Sequence, residues 1–203
     1  DPFSYNITPF LNGEKKLQEL ELSVWDPTDT GTQPRGKQTI RPRGIWYSAV
    51  SGIWQTVWLE AVEKTYIKQI NINSDIDQKK INIDLDLKNA NGNEKYLIKI
   101  FQEEVQIVNQ TFNSNQDLNI EIPNPKLWSP DQPYLYDVEI NVARNGVPLD
   151  KISSYFAMRK IALAKDKNGF TKLFLNNHEL FHFGTLDQGW WPDGLLTPPS
   201  REA

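Results

Sequence analysis

The chain has 203 residues, enough for one or two domains, and a net charge of −4 spread over interspersed acids and bases. That balance provides no basic face for nucleic acid, and zero cysteines exclude a disulfide framework and a thiol nucleophile. The two histidines, His178 and His182, are too few for a histidine-rich metal site and argue against a Ser-His-Asp triad; no apolar run approaches the ~20 residues of a membrane span.

In chain order, Leu17 to Trp25 sets Leu20, Leu22 and Val24 against polar partners, which predicts a half-buried strand. Asp26 to Gln38 is rich in proline, glycine, threonine and aspartate and reads as a loop, either a plain connection or a functional one. The stretch from Arg43 to Glu60 organises the rest. Its second half alternates Ile53, Gln55, Val57 and Leu59 with Trp54, Thr56 and Trp58, predicting a strand with two apolar faces, covered on both sides. Tryptophans number 7 in all; each is a core or interface anchor or a ring on which a sugar can stack.

From Lys64 to Lys160 seven short strands are predicted, at 66–73, 80–88, 95–102, 105–112, 117–122, 135–144 and 149–158. The clearest signals are Ile81, Ile83, Leu85 and Leu87 against Asn82, Asp84 and Asp86, and the run Tyr136, Val138, Ile140 and Val142. Asn89 to Asn93 and Asn145–Gly146 supply turn residues that tolerate positive φ. This pattern predicts an immunoglobulin-like β-sandwich. Pro123 to Tyr136 carries four prolines and cannot be a central strand; it reads as a rigid crossing loop pinned by Leu127 and Trp128.

After Lys160, residues 170–175 and 179–183 flank Asn176–Asn177 as a hairpin. A loop follows, Gly184 to Asp193, and Thr197–Pro198–Pro199 predicts a helix start running into Ser200–Ala203. Strand, loop and helix in that order read as the first β/α unit of a larger body.

Three motifs carry a resemblance: SGIWQTVWLE at 51–60, NPKLWSPDQPYLYDVEI at 124–140, and YFAMRKI followed by LFLNNHELFHFGTLDQGWWPDGLLTPPS. The chain resembles glycoside hydrolase family 2, the β-galactosidase, β-mannosidase and β-glucuronidase group. The resemblance implies a mainly β fragment: the C-terminal part of a galactose-binding-like jelly-roll domain (1–63), an immunoglobulin-like sandwich (64–160) and the incomplete start of a (β/α)8 barrel (161–203). Under this reading the true N-terminus lies before Asp1, so the missing leader says nothing about secretion; a periplasmic or secreted parent and a homo-oligomer stay open. The last motif carries Asp187–Gln188–Gly189–Trp190–Trp191 where better-known β-galactosidases have Asn-Arg-His wording, which leaves the sugar open.

Retaining hydrolysis of a β-glycoside needs two carboxyl groups about 5–5.5 Å apart. The resemblance places both glutamates on later barrel strands beyond Ala203, so no residue here is expected to be catalytic. The expected substrate-binding residues are Asp187, Gln188, Trp190 and Trp191, at the end of the first barrel strand. A carboxylate accepts from sugar hydroxyls, an amide donates and accepts, and an indole stacks a ring; alternatively Trp190–Trp191–Pro192 only packs the loop. Arg35, Trp46 and Tyr47 are weaker candidates. No metal and no cofactor is implied; the expected partner is a β-glycoside, with no nucleic acid and no membrane. Two other classes remain beside this reading, a free-standing carbohydrate-binding sandwich and an interaction module without a ligand.

Overall fold

The computed structural model describes residues 3–13, 17–53, 56–189, 191 and 198–203. It divides into two compact units, Asp1–Trp58 with Leu186–Ala203, and Leu59–Thr185.

The second unit is built on a β-sandwich. Its strands are β3 (Tyr66–Asp75), β4 (Lys80–Lys88), β5 (Glu94–Gln102), β6 (Val105–Asn113), β7 (Leu118–Glu121), β8 (Tyr136–Arg144) and β9 (Val147–Phe156). One sheet has the order β3-β4-β7 and the other β6-β5-β8-β9, with every pairing antiparallel. All seven strands lie where the alternation puts them, with no end more than two residues from its expected place. The core takes the inward positions predicted for β4 (Ile81, Ile83) and β8 (Tyr136, Val138, Ile140, Val142), joined by Ile98 and Ile100 of β5 and Leu118 and Ile120 of β7. Side chains alternate across a strand, so the intervening Asn82, Asp84 and Glu139 leave the core face. The β8–β9 turn sets Asn145 and Gly146 at φ 52° and 80°, the pair of positive values a two-residue hairpin needs.

The proline-rich crossing between β7 and β8 is anchored as its sequence implies. Leu127 bridges Met158, and the Trp128 N–H donates to the Met158 carbonyl at 2.9 Å. Tyr136 is fully buried, stacks on Phe156 at 5.2 Å and accepts the Lys126 backbone N–H on its hydroxyl at 2.7 Å. Tyr136→Phe keeps the ring and orphans that N–H. It should cost about 1–3 kcal/mol in chemical denaturation, most of it from the unsatisfied donor; a change below a few tenths would show that water replaces the hydroxyl.

Beyond the sandwich, β10 (Ile161–Lys165), β11 (Thr171–Leu175) and β12 (His178–Glu179) form a three-stranded antiparallel sheet. The Asn176–Asn177 turn forms as expected, with φ 51° and 66°, but its second strand is shorter than the expected 179–183. Only His178–Glu179 pair with β11, and 180–183 are coil, where the ladder with β11 does not continue. The turn's side chains also fasten the small sheet to the sandwich. Asn176 donates Nδ2–H to the Trp128 carbonyl at 2.9 Å and accepts the Lys160 N–H at 3.0 Å, while Asn177 donates to Asp77 at 2.7 Å.

The helix expected at Ser200–Ala203 does not form. Residues 198–203 are bends and coil, and Thr197 lies outside the described residues. Four residues close at most one hydrogen-bonded turn, which does not offset the cost of nucleation. The first unit differs more. Its described residues form a 3-10 turn, Thr8–Phe10, and a short parallel pair, β1 (Gln38–Thr39) with β2 (Tyr47–Ser48). Residues 17–25 are coil. Of the strand expected to be covered on both faces, Trp54 and Gln55 lie outside the described residues, and 56–59 are coil with Val57 62% and Trp58 74% exposed. Alternation states which side chains would share a face, but a strand also needs a ladder partner. Among the described residues none pairs with this stretch.

Candidate functional site

The first unit collects the residues that sequence reading offered as sugar contacts. Its frame is the loop 26–37 and the β1–β2 pair. Asp26 caps the loop with both oxygens, accepting Thr28 N–H at 2.7 Å and the Ser51 hydroxyl at 2.7 Å. The Ser51 bond, then the Thr28 bond, hold its carboxyl below the usual carboxylate range. A group so committed is an anion at neutral pH and a poor general acid. Asp29 faces Arg35 at 3.8 Å, and the Arg35 guanidinium lies over the Trp46 ring at 5.7 Å. The loop is therefore tied internally, which explains why so polar a stretch holds one shape.

Parallel pairing of Gln38 with Tyr47 and of Thr39 with Ser48 sets the next layer. The Tyr47 N–H donates to the Lys37 carbonyl at 2.8 Å, placing the two residues side by side. Both reach Gln188. Its Oε1 accepts the Tyr47 hydroxyl at 2.5 Å and the Lys37 ammonium at 3.4 Å. Gln188 is thus joined to segments 141 and 151 residues away in sequence.

The other candidates divide. Asp187 is exposed and accepts the Gly189 N–H at 2.8 Å, a local turn that leaves its second oxygen toward solvent. Trp191 is half-buried, and Trp190 lies outside the described residues. Among the weaker candidates, Tyr47 meets Gln188, whereas Arg35 and Trp46 meet each other. Lys37 was missed by sequence reading; its one signal is its position beside Arg35–Gly36 in a loop already singled out. Among the described residues no group of three or more His, Asp or Glu side chains is placed to hold a metal ion.

The sandwich has an open groove of about 630 Å³ lined by Ile70, Ile72, Trp128, Tyr155 and Arg159 among others. The Arg159 guanidinium lies over the Trp128 ring at 4.9 Å, so that aromatic face is already covered.

The fold defines a class, a two-sheet antiparallel β-sandwich module that carries no helical layer among its described residues. Residues 65–159 match the family model of the Glycosyl hydrolases family 2. The β-galactosidase of Lactococcus lactis subsp. lactis is 31% identical over 144 residues, covering 64% of this chain and 14% of that protein. The β-galactosidase of Thermoanaerobacter pseudethanolicus is 23% identical over 192 residues, 88% of this chain and 24% of that one. The crystal structure of Ruminococcus gnavus β-glucuronidase superposes with a TM-score of 0.50 at 13% identity, over 60% of this chain and 20% of that one, and shows the shared fold. The family 2 match thus covers the sandwich, and the chain is similar to a β-galactosidase over most of its length. It spans between about a seventh and a quarter of the length of these two curated relatives.

Proposed function

We propose that the chain is the accessory region of a retaining β-glycosidase, supplying sugar contacts and support while the two reacting carboxyl groups lie outside it. The sandwich at 64–160 acts as an immunoglobulin-like spacer, 1–63 belongs to a jelly-roll domain, and 161–203 leads into the catalytic barrel. Asp187, Gln188, Trp190 and Trp191 line the rim of the glycone pocket. The observation that carries this reading is the bonding of Gln188 to Tyr47 and Lys37, which brings two sequence-distant candidate segments to one place. An amide, a carboxylate and an indole in one short loop match what a pyranose offers, hydroxyls at its edge and C–H groups on its face.

The chemistry assigns no turnover to this chain. Retention needs a carboxylate pair about 5–5.5 Å apart, and Asp26 and Asp29 in the same unit are committed to the bonds described above. Purified as it stands, the chain should leave nitrophenyl β-galactoside and β-glucuronide uncleaved. Release of nitrophenol above the rate of heat-killed protein would overturn the proposal.

A further inference from the structure

We infer that Lys37 and Tyr47 are positioning residues that turn the Gln188 amide into a pure hydrogen-bond donor toward a sugar oxygen; the inference rests on the sugar-facing reading of Gln188 above. A carboxamide can face its neighbours with either end. Here the choice is forced by Lys37, because an ammonium has three donors and no acceptor. Rotating the amide by a half-turn would set its NH2 against that ammonium. The Tyr47 hydroxyl, able to donate or accept, joins Lys37 in donating to Oε1. With Oε1 spent on two donors, the Nε2 hydrogens point away from both, and no described residue accepts them.

The result is a Gln188 side chain that offers a sugar its donor end alone. The Gln188 NH2 and the remaining ammonium protons of Lys37, whose Nζ lies 3.4 Å from Gln188 Oε1, are the donors of this array. The partner such an array takes is an acceptor oxygen of a pyranoside, either a ring hydroxyl or the carboxylate of a uronic acid. The two share the acceptor chemistry and differ in charge, so the neutral and anionic probes below separate them. Lys37, Tyr47 and Gln188 lie in one unit and two of them on paired strands or their flank, so the device belongs to this chain.

Two measurements on the full chain test it. The first needs no sugar: the nitrogen-15 relaxation of the Gln188 side-chain amide should report an ordered group, and Tyr47→Phe or Lys37→Met should loosen it without altering the sandwich resonances. The second follows the same resonances during titration with methyl β-galactopyranoside and with methyl β-glucuronide. At least one probe should shift them. Gln188→Glu retains an acceptor for Tyr47 and Lys37 but lacks the donor, so it should weaken that binding about tenfold or more; Gln188→Asn and Lys37→Arg should each recover part of the loss seen in Gln188→Glu and Lys37→Met. Preference for the glucuronide assigns the carboxylate, and preference for the galactoside assigns a hydroxyl. An ordered amide that responds to neither sugar overturns the sugar-facing reading and the donor role with it. Sugar binding that Gln188→Glu and Lys37→Met leave intact overturns the positioning inference alone.

Discussion

Ile140→Ala should destabilise the sandwich by about 4 kcal/mol, seen as a lower urea midpoint at unchanged slope. Ile140 is fully buried at the centre of β8, paired with Ile98 of β5 on one side and Ile152 of β9 on the other. Truncation removes three carbons' worth of apolar burial and leaves a cavity. The residue's cross-strand neighbours, Ile98 and Ile152, are β-branched and cannot rotate to fill it. Ile140→Val, which deletes one methylene, should cost about 1 kcal/mol. A loss under 2 kcal/mol for the alanine variant would mean that the sheets slide together over the gap. Since whole domains are stable by about 5–15 kcal/mol, the expected loss is a large part of the total.

Arg144→Leu should cost about 3 kcal/mol near neutral pH, by a different mechanism. Glu94 begins β5 with 1% of its surface exposed. Its carboxylate accepts Arg144 Nε–H at 3.2 Å, the Arg144 Nη2 group, and the backbone N–H groups of Asn91 at 3.0 Å and Gly92 at 2.9 Å. Arg144 in turn reaches the Thr65 hydroxyl and the Asn89 carbonyl, closing the end of the sandwich where β3 begins. Burial pushes the Glu94 carboxyl up, but the Arg144 bond and the backbone donors outweigh it and hold the group at about 2, against an ordinary 4.5. Without the guanidinium a buried anion keeps only its backbone donors, and that desolvation is what the substitution exposes.

The pH dependence separates this from a packing defect. The folded-state value lies below the unfolded one, so the unfolded chain binds the proton first. The stabilisation is complete above about pH 4.5 and is lost as pH falls toward 2. Its size is on the order of 2 kcal/mol once the water that reaches the partly exposed Arg144 is allowed for. Denaturation midpoints for Glu94→Gln should therefore fall less steeply than wild type across that window. Parallel profiles would remove Glu94 from the account.

The site was less legible than the fold, for a physical reason visible in Gln188. Sequence reading singled it out from its loop, and separately singled out Tyr47. Nothing in the spacing of either says that they meet, because a side-chain contact across 141 residues leaves no periodic trace. Lys37 was not singled out at all, since a lysine in a polar loop looks like any solvated cation.

What the amino-acid order settled by itself is the sandwich. Alternation in β4 and β8 names the buried faces, Asn145–Gly146 names the hairpin, and the prolines of 123–133 name the crossing, because each is a local property of the backbone and its side-chain period. What only the tertiary structure decided is pairing. The same kind of alternation across 53–59 yields no strand among its described residues, since hydrogen-bond ladders and shared faces depend on partners that a local pattern cannot supply.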